Sequence, residues 1–402
     1  MHATEVTRTA RRPKNRKAQI ALAAAGLFCE RGYHLVGVDE IAAAVGISGP
    51  AVYRHFPTKY AILVHASREL IAGILAATEV DDVDDDDLGR LDAILGGLAR
   101  FAVEQRSVGA LYQWEYRYLA PEHRAEFRVA LATVVERIAG PVGALRPGLS
   151  GPTADLLVRA ALSTFGSLST HRAAVSRGRA EQTLRRLGWA MLRADVADPV
   201  PTAAVPGKGI GDGEGTGVRT ASRHEILLTE AIRLFRRLGY HAVGMDDIGT
   251  AAGINASSVY RYFPSKADLL AAAYYRASER LAARKESALN GATDAPEALH
   301  RLVDSYVTFS FEQSDLVSVY VSENNNLPDH DRHQLRRTQR LHVEEWVRLL
   351  TTVRPGLPAV EARLLVHAAL NLVSDLGRAV RFARGAGTEA LVTTLAGIGL
   401  NA

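Results

Sequence analysis

Residues 28–59 read FCERGYHLVGVDEIAAAVGISGPAVYRHFPTK, and residues 235–266 read FRRLGYHAVGMDDIGTAAGINASSVYRYFPSK. The second stretch repeats the first without a gap, at an offset of 235 minus 28, or 207. Phe28, Gly32, Tyr33, His34, Gly37, Asp39, Ile41, Gly46, Ile47, Val52, Tyr53, Arg54, Phe56, Pro57, Lys59 and Leu63 recur as Phe235, Gly239, Tyr240, His241, Gly244, Asp246, Ile248, Gly253, Ile254, Val259, Tyr260, Arg261, Phe263, Pro264, Lys266 and Leu270. That is about half of the aligned positions, far more than chance composition supplies.

The repeat runs on past this stretch. Tyr112, Glu115, Leu119 and Arg146-Pro147-Gly148-Leu149 return as Tyr320, Glu323, Leu327 and Arg354-Pro355-Gly356-Leu357, now at an offset of 354 minus 146, or 208. Ala161-Leu162 and Ala369-Leu370 keep that second register. Each unit therefore spans about 190 to 200 residues, the size of one or two small domains.

The chain has 402 residues, 47% apolar and 23% charged, the composition of an ordinary globular protein able to bury sizeable cores. No run of about 18 uninterrupted apolar residues occurs, and the basic, polar start is not followed by one. Neither a membrane span nor a signal peptide is expected, and the expected location is the cytoplasm. The single cysteine, Cys29, excludes an internal disulfide and a cysteine-built zinc site; it reads as a small buried core residue in a reducing compartment.

Net charge is only +4, but its distribution is uneven. From Arg11 to Leu63 eight basic residues (Arg11, Arg12, Lys14, Arg16, Lys17, Arg31, Arg54, Lys59) face three acidic ones (Glu30, Asp39, Glu40); from Arg219 to Leu270 seven face five. If both segments grip a phosphate backbone, the first should carry more of the salt-dependent attraction.

Strand signals are scarce, and apolar residues fall at intervals of three and four between Gly and Pro punctuation, so an all-α fold is expected. Ile20, Ala23, Ala24, Leu27 and Phe28 form one apolar stripe, with Gly32 placed to end the helix in a left-handed conformation. Gly37 then caps a short helix from Val38 to Val45, closed by Gly46. Ser48 is a good N-cap for a third helix running to Phe56, Pro50 is tolerated in its first turn, and Phe56-Pro57 ends it before a long helix near Lys59. The second copy repeats the plan from Asn255 to Phe263.

Residues 198–220, rich in Pro and Gly, read as a flexible tether with a typical reach of about 25 to 30 Å. Asp81 to Asp87, six aspartates and one valine, read as a solvated loop ending the long helix, with a metal site as the weaker alternative.

Two short helices joined by a Gly turn, the second opening on a capping residue, make a helix-turn-helix whose second helix enters the major groove. Phe28, Gly32-Tyr33, Ile41, Gly46-Ile47-Ser48, Val52-Tyr53-Arg54-His55-Phe56 and Lys59, with their counterparts, resemble the N-terminal signature of the TetR family of bacterial transcriptional regulators over about 50 residues per copy. The resemblance implies two tandem units, each a three-helix DNA-binding domain followed by a helical domain that binds a small molecule and supplies the dimer interface. It extends to tandem members of actinobacterial type, some of which repress lipid-import and lipid-catabolism operons. The expected boundaries are 1–63 and 64–197 for the first unit, 198–220 for the linker, and 221–270 and 271–402 for the second. Apolar helices near Ala154 to Thr170 and Val360 to Ala379 are expected to meet in a four-helix bundle with the terminal helix of each unit, giving an intramolecular pseudo-dimer.

Family positions and side-chain chemistry together assign the roles. The resemblance makes Tyr53, Tyr260, Lys59 and Lys266 phosphate contacts, and the basic arm Arg11, Arg12, Lys14, Arg16 and Lys17, with Arg223 in the second copy, is expected to reach a groove or phosphate. His55 and Tyr262 join that set, as do Arg54 and Arg261, which read equally well as partners in surface ion pairs. Base reading falls to the start of the third helix, Ser48, Gly49, Pro50 and Ala51 in one copy and Asn255, Ala256, Ser257 and Ser258 in the other. Because these diverge, the expected operator has two unlike half-sites, with centres about 34 to 36 Å apart. Phe28, Ile41, Ile47, Val52 and Phe56 read as core, and Tyr33 and His34 as packing around a turn.

In the regulatory halves Tyr112, Trp114, Glu115, Tyr116 and Tyr118, with Tyr306, Phe309, Phe311, Tyr320 and Glu323, fit a pocket between helices and fit an ordinary helical core as well. The retained Tyr-x-x-Glu is the best candidate for a polar anchor. The resemblance alone implies the effector class, a fatty or sterol-like molecule or its acyl thioester. The expected partners are a double-stranded DNA operator and that effector, with no cofactor, metal or membrane; further oligomerisation is open. Rival readings are an activator, and a ligand- or partner-binding module with silent heads. An enzyme is least expected, since no phosphate loop, metal cluster or nucleophile elbow appears and Gly207 to Gly217 follows no apolar strand.

Overall fold

The computed structural model describes residues 15–80, 86–111, 118–196, 222–384 and 386–402. Among them every regular element is helical and no strand is present. In chain order the helices are α1 (Arg16–Arg31), α2 (Val38–Ala44), α3 (Gly49–Tyr53), α4 (Lys59–Ala77), α5 (Asp87–Glu104), α6 (Pro121–Leu145), α7 (Gly151–Gly166), α8 (Arg177–Leu192), α9 (Arg223–Leu238), α10 (Met245–Ala251), α11 (Ala256–Tyr260), α12 (Lys266–Asn290), α13 (Ala295–Glu312), α14 (Ser314–Glu323), α15 (Asp329–Val353), α16 (Ala359–Ala379) and α17 (Ala386–Asn401). The expected linker falls outside the described residues, as do Asp81 to Asp85. Asp86 caps α5 by accepting the Leu88 N–H at 3.1 Å.

The chain divides into two compact units. The first comprises residues 1–74 and 107–131 and contains the first helix-turn-helix. Most of its core is the anticipated one: Ile20, Ala24, Phe28, Ile41, Val52 and Phe56 are buried, joined by Ile62 and Leu63, whereas Ala23, Leu27 and Ile47 are half-buried. α1 stops where Gly32 takes φ +88° and returns its N–H to Phe28 O at 2.8 Å. α2 is capped by the Glu40 carboxylate, which accepts the Gly37 N–H at 2.8 Å. Cys29 is half-buried, with its thiol 3.6 Å from the Val108 carbonyl.

The third helix is shorter than expected in both copies. After Tyr53 the chain tightens, and the N–H groups of His55 and Phe56 both turn back to Val52 O, at 2.9 and 3.0 Å. Pro57 disfavours helical backbone at Phe56 and so shortens the element from its C-terminal side. Ser48 stands at the N-cap but makes no side-chain cap bond. Asn255 does: its Oδ1 accepts from Ser258 N–H and Ser257 Oγ, each at 2.9 Å.

The second unit comprises residues 75–106 and 132–402. Within it α7 packs on α8 and α16, and α17 packs on α16 and α8. This is the anticipated four-helix arrangement of the two apolar helices and the two terminal ones. The second helix-turn-helix, α9 to α11, shares a continuous core with α12, α14 and α15: Leu227, Phe235, Ile248, Val259, Leu270 and Tyr274 are buried together with Leu316, Val319 and Leu335. Of the described helices α4 alone has the length and hydropathy to cross a membrane; Ile62, Leu63 and Leu70 are buried in the first unit, and Arg68 pairs with Glu126 there.

Candidate nucleic-acid interface

The two heads repeat one set of internal bonds. Arg16 Nη1 donates to Val45 O at 3.1 Å and Arg223 Nη1 to Ala252 O at 3.4 Å, tying the start of the first helix to the end of the second. Lys59 Nζ donates to Tyr33 O at 2.9 Å and Val36 O at 3.0 Å; Lys266 Nζ donates to Tyr240 O and Val243 O, both at 2.6 Å. Each ammonium also lies over an aromatic ring, 4.5 Å from the Tyr33 centroid and 4.3 Å from that of Tyr240. Burial lowers the Lys266 pKa, while Glu323 and Asp247 act in the opposite sense. The lysines named as phosphate contacts are thus turned inward, closing the turn after the first helix onto the start of the fourth. Tyr33 packs edge-on to Phe28 at 5.2 Å, as expected of a turn residue.

Around the third helices a polar surface stays open. Tyr53 and Tyr260 are each 54% exposed and Tyr262 is 45% exposed. Arg54, His55, Arg261 and Lys17 are exposed as well, as are Ser48, Pro50, Asn255 and Ser257; Ala51, Ala256 and Ser258 are half-buried. Gly49 is the exception. It is buried against α2, and a Cβ there would lie 2.2 Å from Asp39 Oδ1, so it serves close helix approach and is withdrawn as a base reader. Arg11, Arg12 and Lys14 lie outside the described residues. In the second head Arg233 is also paired within the protein, with Glu230, and Arg236 with Asp315.

Of the candidate effector residues, Tyr112, Trp114, Glu115 and Tyr116 lie outside the described residues. The others meet different neighbours. Tyr306 packs edge-on to Trp346 at 5.8 Å, whose Nε1 donates to His342 Nε2 at 3.1 Å; burial raises the Tyr306 pKa and lowers that of His342 to about 4. Phe309 is buried. Tyr320 donates to Gln339 Oε1 at 3.0 Å and meets Tyr274 edge-on at 5.1 Å. Glu323 turns the other way. It is 1% exposed and accepts from Tyr240 N–H at 3.3 Å and Asn326 Nδ2 at 2.8 Å. The Tyr-x-x-Glu pair is therefore no joint anchor, because Glu323, the last residue of α14, faces the turn of the second head. An open groove of about 490 Å³ lies elsewhere, lined by residues that include Ala190, His300, Thr393 and Ile398.

Sequence reading missed the inward role of the lysines, although their equal distance from the turn in both copies was the available signal. It also missed His171 and His367, which stack with ring centroids 4.2 Å apart; no repeat or motif marked them. Among the described residues no group of three or more His, Cys, Asp or Glu side chains is placed to hold a metal.

Residues 20–66 and 227–273 each match the profile of the bacterial regulatory proteins of the tetR family. A relative from Mycolicibacterium smegmatis, named an HTH-type transcriptional activator, FasR, is 31% identical over 128 residues, covering 31% of this chain and 57% of its own length. This chain thus spans less than two thirds of that protein. Among solved structures, the ketosteroid regulator KstR2 of Mycobacterium tuberculosis aligns with 20% identity and TM-score 0.40, covering 46% of this chain and 95% of its own. The regulator FadR of Bacillus subtilis, in complex with stearoyl-CoA, aligns with 17% identity and TM-score 0.38, covering 44% and 96%.

Proposed function

On the premise that this chain carries two domains of the tetR family of bacterial regulatory proteins in tandem, we propose that it is a sequence-specific DNA-binding regulator with both reading heads on one polypeptide. The observation that carries the reading is the repetition of one exposed surface on two unlike helices. Tyr53 with Arg54, and Tyr260 with Arg261, stand beside third helices that open with Ser48 and Pro50 in one head and Asn255 and Ser257 in the other. Exposed tyrosine, arginine and lysine position a protein on phosphates, and diverged polar residues at a helix start read base edges. Lys17, Tyr53, Arg54, His55, Tyr260, Arg261 and Tyr262 form the proposed phosphate surface.

The proposed operator is asymmetric, with two unlike half-sites. The proposed effector is a largely apolar small molecule, a fatty or sterol-like compound or its thioester, acting on the helices after Lys59 and Lys266 in the cytoplasm; catalysis is not proposed. Selection of bound sequences from a random DNA pool, with the mass of the complex on the winning site, tests this. One chain on one asymmetric site is expected; no enriched sequence at ordinary salt would overturn it.

Repression is the proposed sense of control. The name of the Mycolicibacterium smegmatis relative supports the opposite sense, and a reporter behind the selected site separates the two: lower transcription with the protein present is expected, whereas a rise would make it an activator.

A further inference from the structure

Ser163 on α7 and Asn371 on α16 are equivalent positions of the repeat, since 371 minus 163 is 208, and they touch each other. Asn371 Nδ2 donates to Ser163 Oγ at 3.0 Å and to Ser163 O at 3.1 Å. Equivalent residues in mutual contact sit beside the two-fold axis that relates their helices. In a pair of identical chains such a position carries one residue twice; here it carries two different ones.

The surrounding bonds are one-sided too. Asp375 Oδ2 accepts from Ser163 Oγ at 2.7 Å and Asn371 Nδ2 at 2.8 Å, and Arg378 pairs with its other oxygen. The position equivalent to Asp375 is Ser167, whose hydroxyl donates to Thr164 O at 2.6 Å. Arg186 on α8 pairs with Glu361 on α16, where the equivalent positions hold Thr394 and Thr153. His171 stacks on His367, where the equivalents are Ala379 and Arg159.

We infer that these contacts select the partner of each half: α7 and α8 recognise α16 and α17 of the same chain and discriminate against their own likeness in a second chain. Two first halves together would lack the carboxylate and set His171 against Arg159. Two second halves would bring two Asp375 carboxylates to one axis and leave Glu361 opposite Thr394. A pair of second halves thus strands the half-buried Glu361 and crowds two carboxylates, and a pair of first halves lacks the acceptor that Ser163 bonds, whereas the unlike pairing makes both the Ser163–Asp375 and the Arg186–Glu361 contacts.

The test is native mass spectrometry with sedimentation velocity on the full chain in the absence of DNA, so its result is independent of the operator reading. The unaltered protein is expected to be monomeric at every concentration. Asn371→Ser, Asp375→Ser and Glu361→Thr together give the second half the first half's residues, and the share of chains found in dimers is expected to rise about tenfold or more at unchanged helicity. Arg186→Glu, which sets two carboxylates against each other, is expected to act likewise. Arg186→Glu with Glu361→Arg restores the unlike pair and is expected to restore the monomer, separating lost selection from lost folding. A dimeric unaltered protein, variants that stay monomeric, or a reversed pair that fails to rescue would overturn the inference.

Discussion

Glu323 and Lys266 hold the backbone of Tyr240 from its two ends. Glu323 Oε1 accepts the Tyr240 N–H at 3.3 Å, and Lys266 Nζ donates to the Tyr240 carbonyl at 2.6 Å. Tyr240 follows Gly239, at φ +84°, where α9 ends. Glu323 is the last residue of α14, and Lys266 is the first of α12. The turn of the second head is thereby bonded directly to one regulatory helix and to the long helix that follows the head. Glu323→Ala removes the acceptor of a buried amide and of Asn326, which costs about 1–3 kcal/mol. The expected outcome is a lower urea midpoint at unchanged slope; an unmoved midpoint would discard this bond as a tie between the two.

The inward position of Lys59 separates it from the exposed cations. Lys59→Met is expected to lower the thermal midpoint while leaving the slope of log affinity against log salt unchanged. Arg54→Ala is expected to leave stability alone and reduce that slope by about one; Lys17→Ala is expected to reduce the slope likewise, while losing the contact of its ammonium with the Phe56 ring, 5.2 Å from the centroid. A flattened slope with Lys59→Met would return it to the phosphate surface.

The reading helices make a claim about sequence preference. Replacing Asn255, Ala256, Ser257 and Ser258 by the residues at 48 to 51 is expected to make the selected DNA site more symmetric, since both heads would then offer the same side chains. An unaltered preference would place base reading elsewhere. Stability should fall somewhat as well, because the Asn255 cap is lost, a change typically worth about 1 kcal/mol.

Gly97 on α5 lies against the backbone of α4, where a Cβ would stand 2.1 Å from Ala77 O. Ala77 is the last residue of α4, and its backbone cannot swing aside as a side-chain tip does, so Gly97→Ala is expected to cost about 1–3 kcal/mol through forced backbone shift. Gly96→Ala, whose nearest neighbour is Arg100 Nη1 at 3.5 Å, is the control and is expected to be neutral or better.

Burial lowers the His367 pKa from 6.5 to about 4 and that of His171 to about 2. Both are therefore neutral in the fold, whereas the unfolded chain protonates them near the ordinary value. Their stabilising contribution is complete above about pH 6.5 and declines as pH falls toward 4, where His367 saturates. His367→Phe keeps a stacked ring and removes one titration. Unfolding free energy measured between pH 6 and 4 should then fall less steeply, by about 1.4 kcal/mol per pH unit; an identical slope would refute the buried neutral state.

The head was legible because its constraints are local. Gly32 and Gly239 with positive φ, the Gly37 and Gly244 caps, and the Phe56-Pro57 stop act over a few residues, and a duplicated motif displays them twice. The apolar stripes on α7 and α16 were legible for the same reason, a periodicity visible within each helix. The regulatory aromatics were not. Tyr306, Tyr320 and Glu323 fall at similar helical spacing, yet one meets Trp346, one Gln339, and one the turn of the second head, because their directions depend on which helices lie alongside.

By itself the sequence determined that the chain is two related helical units, each with a helix-turn-helix whose third helix opens on diverged residues, since turn chemistry, periodicity and a repeat are properties of residues near one another in the chain. Only the tertiary structure decided that Lys59 and Lys266 turn inward, that Glu323 serves the head, and that Ser163 meets Asn371 across 208 positions. Those contacts join segments far apart in sequence, and what a polar side chain bonds is settled by the acceptors that packing brings within about 3 Å of it.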